Sequence, residues 1–254
     1  MQNRIDKLFQ EKKSEILSVF FTAGFPKLND TLPILDALER SEADLVEIGI
    51  PFSDPLADGP VIQQSSMAAL ENGMNLKLLF LQLENLRMVI QKPVLLMGYL
   101  NSVMQYGIEK FYADCSKVGI DGVILPDLLL DEFNQFHKRI AQQSNIKVVF
   151  LVSPGTKPGR IKVLDEAGSG FLYLLSSDST TGGSKCMSKT RLNVANPVLI
   201  GFGIKGQKEF SEACQYANGA IIGSAFIELL SKSADFKKDI PEFTDKVKHK
   251  LIKS

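Results

Sequence analysis

Asp44 to Pro60, "DLVEIGIPFSDPLADGP", joins an apolar run of strand length to a loop dense in Pro, Gly and Asp. A strand alternates its faces, so Leu45, Glu47 and Gly49 share one side while Val46, Ile48 and Ile50 share the other. The all-aliphatic side suits packing against helices, which leaves Glu47 pointing inward. A strand apolar on both faces is the mark of a buried parallel sheet. The same kind of run recurs along the chain: "ILSVFFTA" from Ile16, "PVLLMGY" from Pro93, "GVILP" from Gly122, "KVVFLVS" from Lys147, "GFLYLLS" from Gly170, "PVLIGFG" from Pro197 and "GAIIG" from Gly219. Between them lie amphipathic stretches such as "TLPILDALERS", "IEKFYADCSKVG", "DEFNQFHKRIAQQ" and "KEFSEACQYA". Strands alternating with helices imply right-handed βαβ units.

Eight such strands without a linker or a break in composition predict a single (β/α)8 TIM barrel spanning residues 1–254. The segment before Ile16 reads as an extra helix closing the barrel bottom. "AALENGMNLKLLFLQLENLRMVI" is too long for one connection and is expected to break at Gly73 into two helices. Hydrophobic residues make up 44% of the chain, enough for a large core. Lys+Arg and Asp+Glu both total 29, so the basic excess of a nucleic-acid binder is missing. The Lys-rich stretch "FTDKVKHKLIKS" reads as a solvated last helix. No apolar run approaches ~20 residues, and the expectation is a cytoplasmic protein. Cys115, Cys186 and Cys214 are widely spaced and lack nearby His, which supports neither a disulfide framework nor a zinc site. His137 and His249 fall in polar helical patterns and read as surface residues.

A barrel of this kind carries its chemistry at the strand C-terminal ends and the loops beyond. An inward Glu47 is poorly solvated, which raises its pKa and readies it for proton exchange near neutrality. "PFSDPLADGP" by composition is equally an ordinary turn, but its place directly after Glu47's strand lets it deliver Asp58 opposite that residue. Glycine-rich ends follow: "STTGGS" after the sixth strand, "GFGI" at the seventh, and "GSAF" opening a short helix after the eighth. Glycines let backbone N–H groups approach a phosphate, and the helix N-terminus adds favourable potential. Phe20, Leu96, Tyr99, Tyr173 and Phe202 offer an apolar lining for a flat substrate portion, although each also fits ordinary core. No strand is read as carrying an inward Lys, which disfavours Schiff-base chemistry, and no cluster has metal-ligand character.

"VEIGIPFSDPLADGPVIQ" resembles the signature of the tryptophan synthase α chain family. The resemblance continues in order through "FFTAGFP", "VLLMGYLN", "GIDGVILPD", "FLVSPGTKPGRI", "GFLYLLS", "GFGI" and "GAIIGSAF". It implies retro-aldol cleavage of indole-3-glycerol phosphate to indole and glyceraldehyde 3-phosphate. By the same resemblance Glu47 is the general acid–base, Asp58 the acid that bonds the indole N–H, and Tyr173 the tyrosine beside the glutamate. Gly182, Gly203, Gly223 and Ser224 match the phosphate cradle. Phe20, Ile62, Leu96, Asp127, Thr181 and Phe202 match lining or supporting positions. A β-chain partner in an α2β2 complex is implied as well. It would receive the indole and carry the pyridoxal phosphate, leaving this chain without a cofactor.

The chain departs from the family pattern in three places. After strand six, "SSDSTTGG" has Ser179 and Thr180 where the family has Gly and Val. "GSKCMSKTRLNVAN" is shorter than the usual connection, so a helix of ordinary length, about 11 residues, leaves little room for a closing loop. Leu129 stands where the family commonly has Pro. The first two changes fall in the lid and frame an alternative, an impaired α-like subunit that mainly binds and activates the β chain. Another phosphate-binding barrel, such as a sugar-phosphate isomerase, is the third reading.

Overall fold

A computed structural model describes residues 2–55, 58–176 and 191–249. The eight strands are β1 (Ile16–Thr22), β2 (Leu45–Gly49), β3 (Val94–Met97), β4 (Gly122–Ile124), β5 (Lys147–Val152), β6 (Leu172–Leu175), β7 (Val198–Gly201) and β8 (Gly219–Ile222). They run parallel in sequence order, and β8 pairs with β1 to close the barrel. Each strand matches one of the apolar runs, trimmed by a residue or two where the loops begin.

Strand alternation sorts the core into two shells. Val46, Ile48 and Ile50 face outward, into the outer core that also holds Ile34, Leu35, Phe111 and Phe210 of the surrounding helices. Leu45, Phe20, Leu95 and Tyr173 face inward. The pairing Phe20↔Glu47↔Leu95 sets Glu47 in the inner shell, as its alternation predicts. The same pairing corrects Leu96. It belongs to the outer shell, and its neighbour Met97 faces inside. "VLLM" has no polar residue to mark its parity, so the register with β2 decides it.

The bottom of the barrel is closed by the helix Arg4–Glu11, capped by Asn3, whose side chain accepts from the Ile5 N–H at 2.9 Å. Ile5 and Phe9 enter the inner shell beside Ile16 and Phe171. Asp121 ties this end together, accepting from Arg4 at 3.1 Å, from the Val94 N–H at 2.9 Å and from Arg87. Lys147 shares the inward face of β5 with Val149 and Leu151, contrary to expectation. It sits at the bottom end, 2.7 Å from Asp6 of the closing helix, far from any strand C-terminus.

The long second connection breaks at Gly73 as expected, but it breaks once more beyond it, where a 3-10 turn over Leu83–Asn85 separates off a short helix, Leu86–Val89. Pro60–Glu71 ends before Gly73, whose φ of +92° favours glycine, and Asn75 caps the next helix, Leu76–Gln82. His137 corrects the surface reading, because it is fully buried with Nδ1 3.2 Å from the Tyr112 hydroxyl. It stands four residues after Phe133 and four before Ala141, both buried, and so lies on the packed face of this helical segment, which carries a π-helical turn over Phe133–His137. His249 is exposed, at 61% for its side chain. Of the connection between β6 and β7, residues 191–196 carry no helix, and Asp165 holds the Ala195 and Asn196 N–H groups at 2.7 and 3.0 Å.

Candidate active site

β2 delivers Glu47 to the inner shell with no exposure. Its Oε1 accepts a hydrogen bond from the Ser18 hydroxyl at 2.7 Å, while Oε2 is buried with no partner among the described residues. Burial pushes its pKa up to about 7, with Ser18 pulling the other way. Glu47 is therefore half protonated near neutrality, where it can both give and take a proton.

Asp58 arrives from the loop after β2. Its N–H bonds the Pro55 carbonyl at 3.0 Å, and its own carbonyl accepts from the Gln63 side chain at 2.9 Å. These tie the loop to the start of the helix Pro60–Glu71. The Tyr99 hydroxyl donates to Asp58 Oδ2 at 3.0 Å, and Tyr99 stacks on Phe52 with centroids 5.0 Å apart. Burial raises the Asp58 pKa, and the Tyr99 bond partly offsets it. The two acids thus differ in kind: one is sealed in the strand layer, the other half-buried at the rim.

Asp58 lines a cavity of about 150 Å³ at the barrel mouth, walled by Phe20, Ile62, Met97, Tyr173 and Phe202. Glu47 lies at the level of Phe20, its register partner, beneath this space. The Tyr173 phenol is held well above its ordinary pKa by burial and by the Glu47 and Asp58 carboxylates, so it stays a donor. Its ring meets Phe202 edge to face at 6.1 Å.

Gly203, Gly223 and Ser224 line the far wall of the cavity. Phe202 and Gly203 both take positive φ, +69° and +74°. For a phenylalanine this conformation costs on the order of 1 kcal/mol. It is held by the Ser176 hydroxyl donating to the Phe202 carbonyl at 2.9 Å. Gly223 precedes the helix Ser224–Lys232 and its carbonyl accepts from the Phe226 and Ile227 N–H groups at 2.9 Å, so the Ser224 and Ala225 N–H groups at the helix start are the ones available to an anion. A Cβ on Gly223 would stand between Phe20 and Ile62, inside the cavity.

The described residues thus bring together Glu47, Asp58, Tyr173, Phe20, Ile62, Phe202, Gly203, Gly223 and Ser224. Leu96 is excluded because it faces the helices. Asp127 lies outside the cavity and plays a supporting part, its carboxylate accepting from the Leu100 N–H at 2.9 Å at the start of the helix Leu100–Tyr106. Thr181 and Gly182, with the substituted Ser179 and Thr180, lie outside the described residues. Sequence reading missed Ser18, Met97 and Lys205, of which the last two line the cavity. A hydroxyl in the apolar run "ILSVFFTA" was the available signal for Ser18. Among the described residues, no three His, Cys, Asp or Glu gather as a metal would require, and no helix is long and apolar enough to cross a membrane.

Comparison with known proteins converges on one family. A sequence model described as "Tryptophan synthase alpha chain" matches residues 6–251. The tryptophan synthase alpha chain of Flavobacterium psychrophilum is 48% identical over 91% of this chain and 94% of its own length. That of Parabacteroides distasonis is also 48% identical, over 91% and 94%. Among solved structures, tryptophan synthase from M. tuberculosis superposes with a TM-score of 0.83 at 26% identity, covering 98% of this chain and 100% of that one. A mutant tryptophan synthase alpha-subunit from Pyrococcus furiosus gives 0.81 at 32% identity, covering 93% and 98%. The chain belongs to the tryptophan synthase α chain family, the carbon–carbon lyases that cleave indole-3-glycerol phosphate to indole and glyceraldehyde 3-phosphate in tryptophan biosynthesis.

Proposed function

We propose that Glu47 and Asp58 divide the work of this cleavage. Protonated Glu47 gives its proton to the indole ring carbon that bears the side chain, leaving a cationic indolenine. Asp58 accepts a hydrogen bond from the ring N–H and stabilises that positive charge. The Glu47 carboxylate then takes the proton of the adjacent side-chain hydroxyl. The carbon–carbon bond breaks, its electrons return to the ring as indole, and the hydroxyl carbon leaves as the aldehyde. Glu47 ends protonated, so the cycle balances. Tyr173 braces the reacting end, while Gly203, Gly223 and Ser224 receive the phosphate, with Lys205 adding a side-chain cation to the same wall.

The observation that carries this reading is a sealed glutamate, one oxygen of which has no partner among the described residues, beneath a cavity that Asp58 rims. Glu47→Gln is expected to abolish indole release while leaving the fold intact. Asp58→Asn is expected to lower kcat by about 100-fold or more, since charge stabilisation of this type is worth that much. Turnover by Glu47→Gln, or equal loss of stability and activity in Asp58→Asn, overturns the assignment.

The likeness to solved tryptophan synthases supports a β-chain partner, and by the family resemblance we place the chain in a cytoplasmic α2β2 assembly whose β chain takes the indole and carries the pyridoxal phosphate. The shortened connection between β6 and β7 favours a second reading, a subunit that binds and activates the β chain without turning over substrate. Indole release measured with and without a β chain separates the two, since only the lyase releases indole when the partner is present.

A further inference from the structure

We propose that Ser18 is a positioning residue for Glu47, fixing the carboxyl so that Oε2 alone carries the exchanged proton. The inference rests on the acid–base role of Glu47 and adds the device that orients it. β1 alternates like the other strands: Leu17, Val19 and Phe21 face the helices, while Ile16, Ser18 and Phe20 face inside. Ser18 is fully buried, and its register partners are Leu45 on β2 and Ile221 on β8, both apolar. A hydroxyl in such surroundings is costly unless bonded, and its bond is the 2.7 Å contact to Glu47 Oε1. That length is typical of a hydroxyl donating to a carboxylate.

Glu47 gains two constraints from this contact. One oxygen is occupied, so the group cannot swing about its last torsion without losing its only hydrogen bond among the described residues. The other oxygen, buried beneath the cavity, has no competing donor among the described residues. The nearest titratable group is Tyr173 of β6, whose phenol is held up by burial and by the charges of Glu47 and of Asp58 from the loop after β2. The register partners of Glu47 on the neighbouring strands are Phe20 of β1 and Leu95 of β3, neither of which titrates. Ser18 is thus the one donor among the described residues that favours the ionised form against burial.

The test compares Ser18→Ala, Ser18→Val and Ser18→Thr in the full chain with indole-3-glycerol phosphate. Val and Thr have the same shape, so packing damage is common to both and only the hydroxyl differs. A donor stabilises the carboxylate, so its removal raises the pKa of Glu47. Because the acid form starts the reaction, the alkaline limb of the kcat/KM profile is expected to move up by about 1 pH unit in Ala and Val. Their kcat is expected to fall about 10-fold with KM nearly unchanged, since orientation rather than binding is lost. Thr should keep the wild-type limb. An infrared titration of the carboxyl band that Glu47→Gln removes should show the same displacement without reference to turnover. A wild-type limb and band in Ala and Val, or identical profiles for Val and Thr, overturns the inference. Turnover by Glu47→Gln would instead sink the acid–base reading itself, whatever the Ser18 variants do.

Discussion

Glu47 carries a stability cost that follows from the same burial that equips it for chemistry. Its pKa is about 7 in the fold against an ordinary 4.5, so the folded form holds a proton that the unfolded chain has released. Below pH 4.5 both states are protonated and the group is neutral in its effect. Stability then falls as pH rises, and the full penalty, about 3 kcal/mol, is present above pH 7. Glu47→Gln should therefore unfold at higher temperature than wild type at pH 8, with the difference shrinking toward pH 5. Thermal unfolding across that range checks it, and a pH-independent difference would count against burial as the cause. At this scale the sequence was informative where a residue broke its pattern. Glu47 interrupts an aliphatic run and Asp58 sits in a proline-stiffened loop, so both stood out. Lys205 follows "GFGI" with nothing local to mark it, and only the folded barrel mouth turns it toward the cavity.

Strand ends, rather than single side chains, shape the cavity wall. At the end of β7, Gly201 leaves room for the Tyr173 ring from β6: a Cβ there would lie 2.1 Å from the phenol oxygen and 2.3 Å from two ring carbons. No flexible tip can absorb that overlap, because the ring is packed against Phe202 and buried. Gly201→Ala should push Tyr173 out of place, reducing kcat by about 10-fold or more and destabilising by roughly 1–3 kcal/mol. Gly206→Ala, where nothing lies within 4 Å, is the matched control and should be silent on both counts. Equal behaviour of the two variants would show that the ring repacks freely. Element positions were legible because every strand is an aliphatic run bounded by Gly, Pro or polar residues. Facing was legible only where a polar residue fixed the parity. In β2 Glu47 did so, whereas β3 offered four apolar residues, and Leu96 was placed inside when Met97 occupies that face. At His137 the polar neighbours masked a buried stripe, because Phe133 and Ala141, four residues to either side, share its packed face.

Across the whole molecule, the two ends of the barrel hold different kinds of charge. Near the mouth, the acids are under-satisfied: Glu47 Oε2 has no partner among the described residues, and burial raises the pKa of Asp58. At the bottom, Asp121 is saturated by Arg4, Arg87 and the Val94 N–H, joining the closing helix to β3 and β4, and its side chain is only 4% exposed. Lys147 and Asp6 add a second clasp there. The mouth sacrifices stability for reactivity, and the bottom supplies rigidity that the mouth lacks. The division makes a prediction that single-site arguments do not. Asp121→Ala leaves the largely buried Arg87 guanidinium without its carboxylate, a loss worth about 3 kcal/mol or more. For a chain of this size that lowers Tm by on the order of 10 °C. The strand C-terminal ends are untouched, so kcat/KM at room temperature should match wild type as long as the variant is folded. Thermal unfolding and steady-state indole release on one preparation decide the matter. If activity falls in step with stability while the protein remains folded, the bottom clasp is coupled to the mouth, and the separation of stabilising and reacting ends fails for this barrel.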